Sequence, residues 1–274
     1  MSSILTNNSA MVALATLKQV NRGLTETQNR VSSGLAIRSG KENAAYFAIS
    51  ETMKGDSGMF KAINEGLTAT KNSVATARLG AETVKDIAQQ MVERIAFAQS
   101  DGVDAGDVQS ELDALAANMQ SAIDQATFNG DDLVSGAAAA QTVVTGISRA
   151  GGTFATTSIT FNSVDLQAIQ TAFAGIDLST STDLAADLVT AEGQLQAAIT
   201  AATSMGVTEN TLEGQMEFLD ALADTLDSGI GSMVDADMEE EAARLQAYQV
   251  QQQLATQSLA IANQAPQNIL SLFR

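Results

Sequence analysis

The chain carries two runs of adjacent carboxylates, Asp131-Asp132 and Glu239-Glu240-Glu241. Paired acids can divide general-acid and general-base roles when a cleft separates their pKa values. Both runs have simpler explanations in their local sequence. Asp131-Asp132 closes the stretch Phe128-Asn-Gly-Asp-Asp-Leu, which reads as a helix end and turn. The glutamates open a helical run, where negative charge meets the positive end of the helix dipole. The chain has no Cys and no His, which removes disulfides, thiol nucleophiles, imidazole bases and the usual zinc ligands. No catalytic, cofactor or metal residue is therefore assigned.

With no reactive centre, the elements carry the information, and both chain ends show a three-four apolar rhythm. At the N-terminus the stripe is Ala10, Leu14, Leu17, Leu24, Val31 and Leu35, with Asn21 and Gln28 in the intervening heptad slots. At the C-terminus it is Leu245, Tyr248, Ala255, Leu259, Ala262, Ile269 and Phe273, with Gln252 and Pro266 in the remaining slots. A seven-residue repeat keeps one seam toward a partner helix, and a polar residue in the seam selects register. The ends are expected to pair with each other and with copies of themselves, and Gln252 to find a hydrogen-bond partner across the interface.

Composition favours long helices. Aromatics are 4% of the 274 residues, Trp is absent, and Pro266 is the single proline, so residues 1–265 hold no obligatory helix breaker. Charge is uneven: residues 1–94 carry 11 basic and 8 acidic residues, while residues 95–243 carry Arg149 alone against 24 acids. Such a surface repels phosphate backbones, which argues against nucleic-acid binding, and the acids read as a solvated face. No apolar run reaches the roughly 18 residues of a membrane span, so no membrane partner is expected. The opening residues lack the basic and apolar regions of a cleavable signal, so another export route is expected if the protein leaves the cell.

Between Ala44 and Ser100 the apolar stripe runs Phe60, Ile63, Leu67, Val74, Ala77, Ala81, Val84, Ala88, Met91, Ile95 and Ala98, with Thr70 polar. It predicts a helix roughly 80 Å long at 1.5 Å per residue. Residues 101–107 break it and offer N-caps, and a helix bearing Val108, Leu112, Leu115, Met119, Ala122 and Ala126 should fold back antiparallel. Thr142–Ile147 and Ala155–Phe161 are β-branched around Gly151-Gly152, which predicts a hairpin. Two further helices are expected, one with Leu184, Leu188, Ala191, Leu195, Ala198, Ala202 and Met205, and one after a break at Gly206 with Leu212, Met216, Leu219, Ala223, Leu226, Ile230 and Met233. The fold class is mainly α: a long antiparallel helical bundle or coiled coil with a small β-hairpin region.

Two stretches resemble bacterial flagellin. Val31-Ser-Ser-Gly-Leu-Ala-Ile-Arg-Ser-Gly-Lys-Glu-Asn-Ala-Ala-Tyr-Phe-Ala-Ile-Ser50 is similar to the segment joining the first terminal helix to the long rod helix. Met233-Val-Asp-Ala-Asp-Met-Glu-Glu-Glu-Ala-Ala-Arg-Leu245 and Ala265-Pro-Gln-Asn-Ile-Leu-Ser-Leu-Phe-Arg274 are similar to the carboxyl-terminal signature, and Phe128-Asn-Gly130 adds a weaker match. The resemblance is to short flagellins without large outer domains, as in alphaproteobacteria. It implies an inner terminal coiled coil of residues 1–40 and 234–274, a rod-like helical domain of residues 41–233, and a surface region near 134–182.

The resemblance further implies a structural, non-enzymatic subunit that polymerises into the extracellular flagellar filament for swimming. Its implied partners are further copies of itself, hook-associated and cap proteins, the flagellar export apparatus and an export chaperone. Subunit contacts are expected at Leu14, Leu17, Leu24, Val31, Leu35, Leu245, Tyr248, Gln252, Leu259, Ile269 and Phe273. Thr153, Thr156, Thr157 and Ser158 are expected positions for the O-linked glycans that some members carry. A hook-filament junction protein is the alternative, disfavoured by the closing Pro266–Arg274 motif. The metallopeptidase insertion of some flagellins needs a His pair, which is lacking. Met91 stands where enteric flagellins have an arginine, and Glu93 and Arg94 exchange charges, so recognition by the vertebrate innate receptor is not carried over.

Overall fold

The structure is a computed structural model that describes residues 7–271, with side chains through Gln264. Helices α1 (Asn8–Ser33), α2 (Ala44–Ala98) and α3 (Ala105–Gln125) come first. Two short strands, β1 (Thr127–Phe128) and β2 (Asp131–Asp132), and a longer pair, β3 (Ala140–Ser148) and β4 (Ala155–Asn162), follow. Helices α4 (Leu166–Ala174), α5 (Leu184–Val234) and α6 (Met238–Ser271) complete the chain. The chain divides into two compact units, Met1–Gly55 with Thr225–Arg274, and Asp56–Asp224.

Helix starts follow their caps. Asn7 accepts from the Ala10 N–H, Asn43 from those of Ala45 and Tyr46, Asp183 from those of Ala185 and Ala186, and Asp237 from those of Glu239 and Glu240. Helix α1 ends at Gly34, whose positive φ of 73° closes a left-handed cap on the Arg30 carbonyl. The chain then turns through a short contact with the segment before α6, where Ala36 N–H donates to the Val234 carbonyl and Ala236 N–H to that of Gly34.

In the second unit α2 supplies the expected stripe, with Leu67, Val74, Ala77, Ala81, Val84, Ala88, Met91 and Ile95 buried. Cross-helix polar contacts set its antiparallel register with α5: Asn64 to Asp220, Lys71 to Glu213 and Arg78 to Glu209. The three α2 positions are seven residues apart, so they share one edge of the seam. Hydrogen bonds from Lys71 to Glu213 and from Arg78 to Glu209 push both basic groups above their ordinary pKa.

Helix α3 folds back antiparallel on α2, and Arg94 meets Glu111. The approach at its end is so close that a Cβ on Gly80 would collide with the Ala126 side chain. The expected α3 stripe is slightly rotated: Ala116 and Ile123 are buried, while Leu115 and Ala122 are half-buried. The hairpin is found where expected, with Ala140 opposite Asn162 and Ser148 opposite Ala155, and a bulge between Val144 and Gly146. Asn129 (φ 52°) and Gly130 (φ 87°) form the tight two-residue turn between β1 and β2.

Two expectations are overturned. No break occurs at Gly206, and α5 runs unbroken from Leu184 to Val234. Gly costs a helix about 1 kcal/mol against Ala, which buried Met205 and Leu212 on either side readily outweigh. The expected surface region near 134–182 contains a helix that the sequence pattern did not predict, α4, whose Leu166, Ile169 and Phe173 are buried and whose Asp165 caps the Ala168 N–H. A nine-residue helix is not stable by itself. It forms because it packs on α3, with Gln167 bonded to Gln120 and Gln109 to the Ile176 carbonyl.

Candidate functional site

The residues singled out from the two chain ends come together in the first unit, where α1 and α6 pair antiparallel. Gln252 Nε2 donates to Asn21 Oδ1 at 2.7 Å, Arg30 meets Glu241 at 3.3 Å, and Asn7 Nδ2 donates to the Ala262 carbonyl at 2.7 Å. The α6 seam follows the expected heptad: Ala255 is buried, and Leu245, Tyr248, Gln252, Leu259 and Ala262 are half-buried. The side chain of Ile269 and all of Phe273 lie outside the described residues.

The α1 seam is turned by about one residue from its expected position. Val20, Leu24 and Thr27 are buried, and Ala10, Ala13, Leu17 and Val31 are half-buried. Leu14 is 42% exposed, and Asn21 and Gln28 are exposed. The spacing 10, 13, 17, 20, 24, 27, 31 is also three-four, and it was obscured because Thr27 is polar while Leu14 is apolar. Leu35 is half-buried and bridges to Asp235.

Three seam features escaped the apolar pattern. A Cβ on Gly23 would meet the Tyr248 ring at 2.6 Å, so the ring lies directly on the α1 backbone and a side chain there would have to displace it. Glu241, read as part of a helix start, is buried and bonded to Arg30 and to Arg244 at 3.0 Å. Its Oε2 and the Arg30 Nε are buried without hydrogen-bond partners. With Arg30 half-buried and the two groups incompletely satisfied, the pair adds little stability. Arg30 is the basic residue of the last α1 turn, which is the one sequence signal for it.

The surface of the pair has two different sides. A groove of about 500 Å³ lies between the helices, lined by Thr16, Gln19, Val20, Arg244, Ala247, Tyr248 and Gln251. Its α6 wall continues at helical spacing through Leu254, Ser258 and Ile261, and its α1 wall through Val12, all exposed. The Asn21–Gln252 bond marks the other side, where Gln249, Gln253 and Thr256 are exposed. Helix α6 thus has a seam on α1 and an uncovered side on which Ala247, Val250, Leu254 and Ile261 stand among the polar Gln251 and Ser258.

Near the α1–α2 connection, Glu42 accepts from the Arg38 backbone N–H at 2.6 Å and from its guanidinium at 3.2 Å. The backbone hydrogen bond, with the guanidinium's bond and charge, holds the Glu42 carboxyl below its ordinary value. In the second unit, Arg149 grips Asp56 through both oxygens and lies 5.6 Å from the Phe154 ring centre. Thr153, Thr156, Thr157 and Ser158 are all exposed. Ser73, buried in α2, donates to Asp131, and Asp132 accepts from the backbone N–H groups of Val134 and Ser135. Both acids of that pair are thus engaged in holding a turn. No helix among the described residues is long and apolar enough to cross a membrane.

Comparison with known proteins agrees with this geometry. The family model for the bacterial flagellin N-terminal helical region matches residues 4–139, and that for the C-terminal helical region matches residues 188–273. The chain is 37% identical to a flagellin of Brucella melitensis and 31% identical to flagellin C of Rhizobium meliloti, each over the whole of both chains. It is 31% identical to flagellin FljK of Caulobacter vibrioides, over all of this chain and 99% of that one. A putative flagellar hook-associated protein of Vibrio parahaemolyticus superposes with a TM-score of 0.47 at 13% identity, covering 68% of this chain and 94% of that one. Paired terminal helices, the two family matches and relatives alike from end to end coincide, and the chain belongs to the bacterial flagellin family.

Proposed function

We propose that this flagellin, a structural subunit of the bacterial flagellar filament, polymerises through the α1–α6 pair. The observation that carries the proposal is the set of apolar residues on the uncovered side of α6. Leu254 and Ile261 are 59% and 65% exposed, with Val250 beside them, although α6 already has a full seam on α1. Large apolar residues on a side that α1 leaves uncovered can bury against a second partner, and in a homopolymer that partner is another copy of the chain. A contact that joins different patches on the two copies generates an open helix when its rotation does not close into a ring. The interface comprises the uncovered side together with Leu14, while Leu17, Leu24, Val31, Leu35, Leu245, Tyr248, Gln252 and Leu259 hold the pair that presents it. Ile269 and Phe273 stay assigned as subunit contacts on the sequence pattern and the family resemblance.

On this reading residues 1–40 and 234–274 form the inner domain of the filament and residues 41–233 its rod, with the region near 134–182 outward. The subunit works without catalysis. It leaves the cell through the flagellar export apparatus with an export chaperone, and the filament meets hook-associated and cap proteins at its ends. Family membership supports these assignments, and end-to-end likeness to flagellins favours the filament subunit over a hook-filament junction protein. Exposure of Thr153, Thr156, Thr157 and Ser158 supports their glycosylation.

Electron microscopy and sedimentation of a Leu254→Ser, Ile261→Ser variant test the interface. The seam to α1 is untouched, so the free subunit should keep wild-type helix content while filaments fail to form. Filaments of normal length would refute the uncovered side of α6 as a subunit contact.

A further inference from the structure

We propose that Met11 is an oxidation site that controls assembly: in the free subunit its thioether takes an oxygen atom from a peroxide, and the resulting sulfoxide keeps α1 out of the filament. The inference rests on the reading of the terminal helices as the polymerisation unit.

The described methionines fall into three environments. Met91, Met119 and Met205 are buried in the second unit, and Met53, Met59, Met216 and Met233 are half-buried. Met11 and Met238 are exposed, Met11 to 63%. Thioether oxidation follows exposure, so these two are the reactive positions among the described residues.

Their surroundings separate them. Met238 starts α6 beside Asp237, Glu239 and Glu240, in an acidic, hydrated setting. Met11 lies in Ala10-Met-Val-Ala-Leu-Ala-Thr-Leu17, a segment with one polar residue in eight. Helix α6 covers Ala10, Ala13 and Leu17 and leaves Met11, Val12 and Leu14 in water. The Ala10–Leu17 stretch of α1, polar only at Thr16, has more apolar surface than α6 covers, and on the assembly reading a neighbouring copy covers the rest. Assembly therefore buries Met11, and Met238 has no comparable apolar neighbours to share a contact with.

In the reaction the sulfur lone pair attacks one peroxide oxygen, an S–O bond forms and the O–O bond breaks. The second oxygen leaves as water after proton transfer. Sulfur is oxidised by two electrons and the peroxide is reduced. The product is a polar acceptor on a surface that must be dry, and burying it without a donor opposes association.

The test exposes full-length free subunits and preformed filaments to hydrogen peroxide, followed by peptide mass analysis and polymerisation assays. In free subunits Met11 and Met238 should gain one oxygen at least about tenfold faster than Met91, Met119 and Met205, and in filaments Met11 should react at least about tenfold more slowly. Treated wild type and treated Met238→Leu should lose assembly, while treated Met11→Leu, or Met11→Ile as a second oxidant-proof variant, should retain it. Normal assembly of treated wild type, or loss of assembly in every treated oxidant-proof Met11 variant, would overturn the inference, as would equal Met11 reactivity in subunits and filaments. A chain lacking residues 245–274 separates the two levels. If it still polymerises, the terminal-helix reading fails, whereas if it does not and oxidised wild type assembles normally, only the oxidation step fails.

Discussion

Gln252 of α6 donates its side-chain amide to the Asn21 carbonyl oxygen of α1 at 2.7 Å, joining residues 231 positions apart. The bond lies at the rim of the seam, because Gln252 is half-buried and Asn21 exposed. A rim bond of this kind adds little energy but defines which turn of α6 faces which turn of α1.

Gln252→Leu should add apolar burial of about 1 kcal/mol and lose the register signal. The expected filament is no less stable to heat yet altered in helical form or swimming. Wild-type shape and motility would show that the other α1–α6 contacts suffice to hold the register. A double-mutant cycle with Asn21→Ala should give a coupling of about 0.5–1.5 kcal/mol in the free subunit.

Gly23→Ala brings two opposed effects. Alanine favours a helix by about 1 kcal/mol over glycine, but its Cβ would sit 2.6 Å from the Tyr248 ring, and overpacking typically costs about 1–3 kcal/mol. The ring contact should win, lowering the thermal midpoint of the first unit and weakening polymerisation. In a Tyr248→Ala background the same substitution should become stabilising. A destabilising effect in both backgrounds would remove the Tyr248 ring as the cause.

Deletion of residues 245–274 removes most of α6 and leaves the second unit, Asp56–Asp224, complete. Polymerisation should be abolished while hydrogen exchange shows α2, α3 and the α5 segment of that unit still protected. Long filaments from the shortened chain would contradict the assembly role of α6.

Glu42 makes a pH-dependent contribution. Its pKa is lowered in the folded chain, first by the Arg38 backbone N–H, so the stabilisation is present above the unfolded value of about 4.3 and disappears as pH falls through the lower folded value. Glu42→Gln should lower the denaturation midpoint at pH 6, and the difference from wild type should close as pH falls below about 4.3 and through the lowered folded value. A difference that persists in acid would assign the effect to shape rather than charge.

Glycans on Thr153, Thr156, Thr157 or Ser158 would appear as mass above that of the bare sequence in protein taken from filaments. Replacing all four with Ala should remove that excess without disturbing the hairpin, since their side chains are exposed. Native protein at the bare mass would discard the modification.

The sequence alone was enough to determine α1, α2, α3 and α6, the hairpin and the pairing of the chain ends, but not that α5 runs unbroken through Gly206. In α2 and α6 the buried residues repeat every three or four positions for many turns, and such repetition overrides any single glycine or polar residue. The tight turn at Asn129-Gly130 and the Gly151-Gly152 hairpin loop were legible because few residue types tolerate positive φ. Only the tertiary structure decided which of two overlapping three-four rows of α1 faces α6, since Leu14 and Thr27 invert the polarity expected of their positions. It also decided that Tyr248 lies on the Gly23 backbone, that buried Glu241 meets Arg30, and that α4 exists at all. Each of these depends on a partner distant in sequence, whose shape or charge is absent from the local pattern until the chain has folded.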